Sequence, residues 1–138
     1  MLDLKPERAE AAAAEVRAQF AGAQVEAVYH CPHHPKGKVP ELAVDCDCRK
    51  PEPGLLFQIQ ERYGVSLTGV PYVGDSLRDM QAAETVGCVP HLVRTGRYPD
   101  VTALTLPPAF PVGTQVHADL AAFVDHLLGE AAAVRALS

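Results

Sequence analysis

Four side chains in the stretch CPHHPKGKVPELAVDCDCRK, residues 31–50, have the types and spacing of a metal site. Cys31-x-His33 and Cys46-x-Cys48 form two close pairs with twelve residues between them. One thiolate–imidazole pair and one thiolate–thiolate pair can close a tetrahedron around Zn²⁺, a borderline-soft ion that accepts both donors. Four protein ligands fill the shell, so such a zinc is structural. It pins the loop 31–48 and aims Arg49 and Lys50, which follow Cys48 directly. His34 is the nearest substitute for His33 if the register shifts, and His30 is not counted as a ligand. Disulfides are a competing reading, but three cysteines within the stretch cannot pair evenly. Free, unrelated cysteines are the other.

A second chemistry is legible further along. Val70–Val73 is a short apolar strand that runs into Gly74-Asp75-Ser76. In parallel α/β sheets ligands sit beyond the carboxyl ends of the strands. That rule makes His30–Cys31, Gly74–Asp75 and Arg94–Gly96 neighbours on one rim. A carboxylate at Asp75 suits Mg²⁺, which takes few protein oxygens and leaves room for water and phosphate. Asp79, one helical turn on, would support it from behind. The plainer reading is that Asp75 merely opens a helix. Arg49 and Lys50 supply the opposite charge that a phosphoryl group needs, although two cations after a loop are more often a solvated surface.

These groups need elements to hold them. Pro6 suits a first helical position, and PERAEAAAAEVRAQF continues as a helix over residues 6–20, with Ala9, Ala13, Val16 and Phe20 on its apolar side. Gln24–His30 alternates in polarity and reads as a strand leading into the zinc loop. After a PEPG turn, Leu55–Tyr63 reads as an amphipathic helix with Leu55, Leu56 and Ile59 inward, closed by Gly64. Ser76-x-x-Asp79 resembles a capping box for a helix lined by Leu77, Met80, Ala83 and Val86 and stopped by Gly87. Val89–Val93 is a strand, residues 97–114 a long surface loop, and Gln115–His117 a short strand. Asp119 then caps a helix that carries Leu120, Phe123, Val124, Leu127 and Leu128 at core spacing. Strand–helix alternation of this kind makes the fold an α/β, Rossmann-like parallel sheet.

Length and charge narrow the rest. At 138 residues the chain is one domain. A formal net charge of −5 and 6% aromatic residues leave no basic stripe for nucleic acid. No apolar run of about 18 residues supports a membrane span. MLDLKPERAE has acidic residues and no apolar signal core, so a cytoplasmic protein with reduced thiols is expected; a monomer is expected as well.

Taken together, CPHHP, CDCRKPEPGLL, YVGDSLRDMQAA with Gly87 after it, and LVRTG resemble the D-glycero-D-manno-heptose 1,7-bisphosphate 7-phosphatases of the haloacid dehalogenase superfamily. The similarity covers about residues 24–96. It implies a Mg²⁺-dependent hydrolase of a small sugar phosphate in heptose-nucleotide synthesis for lipopolysaccharide or S-layer precursors. It further implies structural zinc on Cys31, His33, Cys46 and Cys48. Lys50 would then stabilise the phosphoryl group, Arg49 recognise substrate and Asp75 ligate Mg²⁺, in a motif whose last acid is Asp79. Zinc-loop histidinol-phosphatases are similar but have a shorter loop and lack the PGLL and LVRTG pattern. The departure is equally specific. The superfamily's DxDG(T/V) nucleophile motif, and the Thr or Ser that ends its second strand, have no counterpart here. The resemblance therefore implies a partial domain, missing the first two strands of the sheet and leaving a gap of about 10 Å or more. Met1 is accordingly read as an internal start, with about fifty to seventy residues before it. The expectation is a heptose-bisphosphate phosphatase whose 138 residues are inactive alone. A histidinol-phosphate phosphatase and a non-catalytic zinc- and phosphate-binding module are the alternatives.

Overall fold

The computed structural model describes residues 6–19, 22, 24–34, 36–38, 40–42 and 45–137. Its elements are α1 (Pro6–Gln19), a 3₁₀ turn (Pro40–Leu42), α2 (Gly54–Tyr63), β1 (Pro71–Gly74), α3 (Leu77–Thr85), β2 (Val89–Val93), β3 (Gln115–His117) and α4 (Leu120–Leu137). The three strands form one parallel sheet in the order β1-β2-β3. Tyr72 stands opposite Pro90 and Leu92 opposite Val116. An α/β layering follows from the sequence: the strands are too short to stand alone, and α3 after β1 and α4 after β3 return to pack on the sheet.

The capping box forms, in modified shape. Ser76 is extended, and its hydroxyl accepts from the Asp79 N–H at 3.2 Å while donating to Asp79 Oδ2 at 2.9 Å. Asp79 reaches back one residue further, to the Asp75 N–H at 3.2 Å. At the next helix Asp119 Oδ1 accepts from Ala122 N–H at 2.8 Å, the expected cap of α4. The residues chosen for the inner side of α3 are inside: Met80 and Ala83 are fully buried and Val86 nearly so.

The core divides into two clusters. Leu56, Leu67, Ala82, Ala83, Val86 and Cys88 seal α2 against α3. Met80, Leu92 and Phe110 form the second, with Leu77, Tyr98, Val101 and Leu106 packed around them. Residues 97–114 are thus more than the surface loop expected. Tyr98 and Phe110 meet edge to face at 5.1 Å, so the loop lays a lid of aromatic surface on the sheet.

Two expectations fail. Gln24–His30 pairs with no strand among the described residues, although its exposure alternates residue by residue as a strand's would. Polarity pattern sets which side chains turn inward, but a strand also needs a neighbour to take its N–H and C=O groups. Between this segment and the sheet lies a largely apolar cavity of about 280 Å³, lined by Ala27 and Tyr29 on one side and by Tyr72 and Ala82 on the other. Among the described residues β1 is an edge strand, with no strand paired on its other side. On α4, Phe123 is buried while Leu120, Val124 and Leu128 are exposed by 46%, 41% and 63%. The helix rests on only two short strands, so the inward stripe is narrower than five apolar positions. Of the face proposed for α1, Ala13 is partly buried; the side chains of Ala9, Val16 and Phe20 lie outside the described residues.

Candidate functional site

The two ends of the zinc loop come together. Cys31 Sγ lies 3.4 Å from Cys46 Sγ and 3.0 Å from Cys48 Sγ, and His33 Nδ1 lies 3.3 Å from Cys48 Sγ. One donor atom from each of the four residues falls within 4.8 Å of all the others, a grouping that can hold a metal ion. Burial opposes ionisation of Cys46, but hydrogen bonds from the Cys31 and Cys48 thiols and nearby backbone N–H groups outweigh it and bring the thiol down to about 7. Cys48 is pushed up, by burial first and then by the two neighbouring thiols. His34 turns away: its Nδ1 accepts from the Lys36 N–H at 3.0 Å and its Nε2 sits 3.4 Å from Arg49 Nη2. Cys88 belongs to the core.

The loop is fastened to the rest through α2. Gly54 N–H donates to the Asp47 carbonyl at 2.6 Å, and a Cβ at residue 54 would run into that same carbonyl. Only glycine allows α2 to begin so close to the turn that carries Cys46 and Cys48. The chain between them carries Arg49 and Lys50 over the carboxyl end of β1.

There a cavity of about 430 Å³ opens, lined by His30, Cys31, Arg49, Lys50, Asp75, Ser76, Asp79 and others. All three segments named by the strand-end rule meet here. His30 and Cys31 line the cavity although their segment is not a paired strand. Gly96 packs so tightly on Asp75 that a Cβ would lie 2.5 Å from Asp75 Oδ2. Lys50 Nζ donates to Asp79 Oδ1 at 2.5 Å, joining the loop to α3. Burial alone would raise the Asp79 carboxyl; the Lys50 ammonium, the Ser76 hydroxyl and the Asp75 N–H together hold it below the usual range. Tyr72, close by, is pushed up to about 12 by burial and then by the Asp79 carboxylate. Asp75 itself remains exposed at the cavity mouth. The arrangement offers a free hard carboxylate beside a fixed ammonium, which suits a divalent cation and a phosphoryl oxygen as immediate neighbours.

Arg78 and Arg97 also line this cavity, and neither stood out in the sequence. Position 97 directly follows the Arg94-Thr95-Gly96 rim segment, which was the available signal. A histidine cluster was missed as well. His91 Nδ1 lies 2.9 Å from His117 Nε2, with the rings of Phe123 and His126 packed against both.

Comparison with known proteins gives consistent matches. A family model described as HAD-hydrolase-like matches residues 47–122. The D-glycero-β-D-manno-heptose-1,7-bisphosphate 7-phosphatase of Bordetella bronchiseptica is 47% identical over 110 residues, covering 80% of this chain and 56% of that protein. The same-named protein of Pseudomonas aeruginosa is 45% identical over 107 residues, covering 78% of this chain and 54% of its own length. The chain thus spans about half the length of these curated relatives. Among solved structures, the D,D-heptose 1,7-bisphosphate phosphatase of B. bronchiseptica, crystallised with magnesium and phosphate, superimposes with a TM-score of 0.76 at 41% identity, over 91% of this chain and 66% of that one.

Proposed function

Because the chain belongs to the HAD-hydrolase-like family, we propose that it acts in the hydrolysis of a phosphomonoester, the 7-phosphate of D-glycero-D-manno-heptose 1,7-bisphosphate, as a cytoplasmic monomer in heptose-nucleotide synthesis. The names of its relatives favour this substrate over histidinol phosphate and over a purely non-catalytic role. The observation that carries the reading is the Asp79–Lys50 pair beside exposed Asp75 in one cavity.

Each residue then has a task. Cys31, His33, Cys46 and Cys48 hold Zn²⁺; the donor set is soft and closed, with Cys31 and Cys48 in the cavity wall, so the metal fastens the loop and takes no part in the reaction. Asp75 is the ligand for Mg²⁺, which supplies charge neutralisation for phosphoryl oxygens when bound. Asp79 accepts from Lys50 and from Ser76, which fixes the ammonium in the cavity and holds the α3 N-terminus in place. Lys50 can then donate to a phosphoryl oxygen as negative charge builds there, with no reorganisation needed during reaction. Arg49 recognises the sugar phosphate. In hydrolysis the ester P–O bond breaks, an oxygen from water joins phosphorus, and the departing sugar oxygen takes a proton. A carboxylate nucleophile and a proton donor are required. Asp75 and Asp79 are the carboxylates of the described lining, and both have other tasks.

The 138-residue chain should therefore bind the bisphosphate in a Mg²⁺-dependent way and release no phosphate from it. Calorimetric titration checks the first half. Lys50→Ala should weaken binding about tenfold, and Asp75→Asn should remove the Mg²⁺ dependence. Binding indifferent to Mg²⁺ in the unaltered chain would sink the proposal. Phosphate release by the purified chain, abolished by Asp75→Asn, would make a carboxylate of this cavity the nucleophile instead.

A further inference from the structure

The cavity has more positive charge than one phosphoryl group uses. Arg49, Lys50, Arg78 and Arg97 face two carboxylates, Asp75 and Asp79, in a chain whose formal net charge is −5. The four cations arrive from two directions. Arg49 and Lys50 come from the zinc loop, and Lys50 is already paired with Asp79 at 2.5 Å. Arg78 and Arg97 flank Asp75 from the other side: Arg78 stands three residues beyond it on α3, and Arg97 follows Gly96, which is seated on the Asp75 carboxylate. Among the described residues no hydrogen bond or ion pair engages Arg78 or Arg97, and both side chains are exposed at the cavity.

An arginine at a loop tip normally sweeps through solvent. Arg97 is placed at its base, because the Gly96 backbone beside it is seated close against the Asp75 carboxylate. Its side chain is exposed and lines the cavity that also holds Asp75, the proposed metal ligand. We infer that Arg97, assisted by Arg78, grips a second anionic group on the ligand: the phosphoryl that stays on the sugar when the other is removed. This rests on the reading of the cavity as a sugar-phosphate site, and it makes Arg97 the residue that distinguishes a bisphosphate from a monophosphate. The chemistry is suited to the task, since a guanidinium fork matches two phosphoryl oxygens at once whereas an ammonium meets them as a point charge. A dianionic group with no cation of its own would otherwise face the net negative charge of the chain.

The test is calorimetric titration of the 138-residue chain in Mg²⁺ with heptose 1,7-bisphosphate and, separately, with heptose 7-monophosphate. The unaltered chain should prefer the bisphosphate by about tenfold or more, one charge-assisted phosphate contact being of that size. Arg97→Gln should remove most of that preference while leaving the monophosphate within about twofold, and Arg97→Lys should restore part of it. Zinc content and far-ultraviolet circular dichroism, unchanged in the variants, establish that they are folded. If Arg97→Gln weakens both ligands equally, or neither, the inference is wrong while the sugar-phosphate reading stands. If the unaltered chain binds neither ligand, the sugar-phosphate reading itself fails and the inference falls with it.

Discussion

Cys46 and Cys88 differ in sequence only by their neighbours, and in the folded chain by everything else. Cys46 lies within reach of three other soft donors, whereas Cys88 is packed among Leu67, Ala83 and Val86. Cys46→Ser should abolish stoichiometric zinc and lower the urea midpoint, because the free energy of metal binding is part of the folding free energy of the loop. Cys88→Ser should keep its zinc and lose about 1–2 kcal/mol through a hydroxyl placed in an apolar cluster. Metal analysis of freshly reduced protein, beside urea denaturation, distinguishes the two. Full zinc in Cys46→Ser would refute the ligand assignment. The donor set was legible in the sequence because ligand type and spacing are local properties. The Lys50–Asp79 pair was not, since 29 residues separate its members and nothing in either segment announces the other. Arg97 was illegible for a different reason: an arginine after a glycine is ordinary loop composition until the glycine is seen pressed on Asp75.

At the scale of elements, the docking of α4 on the sheet turns on histidines. His91, only 2% exposed, and His117 stand on neighbouring strands, and His126 and Glu130 face them from the helix. His126 Nε2 is 3.1 Å from Glu130 Oε1, close enough to attract but not aligned for a hydrogen bond. Both strand histidines are held below the usual 6.5, by burial first and then by the other imidazoles, with Glu130 opposing weakly. A lowered folded-state value means the unfolded chain takes up its protons first as the pH falls. Above 6.5 the pair leaves stability unaffected; on acidification below 6.5 stability drops, and the drop ends once the folded form protonates too. The urea midpoint should therefore be lower at about pH 5.5 than at about pH 7.5, and His91→Gln combined with His117→Gln should shrink that difference. Acid would also strip a zinc held by Cys31, His33, Cys46 and Cys48 by protonating those groups, so the comparison between native and variant isolates the pair. An undiminished difference in the double variant would dismiss the histidines. The alternation in Gln24–His30 shows the same divide between legible and illegible. Which side chains turn inward could be read from polarity, but the absence of a ladder among the described residues could not, because pairing is a property of two segments. On α4 the apolar spacing named five inward positions, and the width of a two-strand platform admitted fewer.

For the molecule as a whole, the parallel α/β layering followed from the alternation of apolar strands and amphipathic helices, and so did the rim on which Asp75, Gly96 and His30 meet. The role of residues 97–114 did not, since Pro- and Thr-rich composition conceals Phe110 as a core residue. One feature of the cavity governs how a ligand would arrive. A cluster of cations set into a chain of net charge −5 creates fields of opposite sign at different ranges. Beyond about 10 Å in 0.1 M salt the net charge is screened, while contacts inside the cavity are screened much less. A multiply charged anion at low ionic strength is thus repelled by the body of the molecule before it is attracted by the mouth. Adding salt from about 20 to 150 mM should leave the association rate constant flat or raise it, and should hasten dissociation. This is the reverse of the steered encounter seen when net charge and site charge attract the same ligand. Stopped-flow measurement with a bisphosphate at the two ionic strengths checks it, and an association rate that falls steeply with salt would show that the cavity's field extends past the surface.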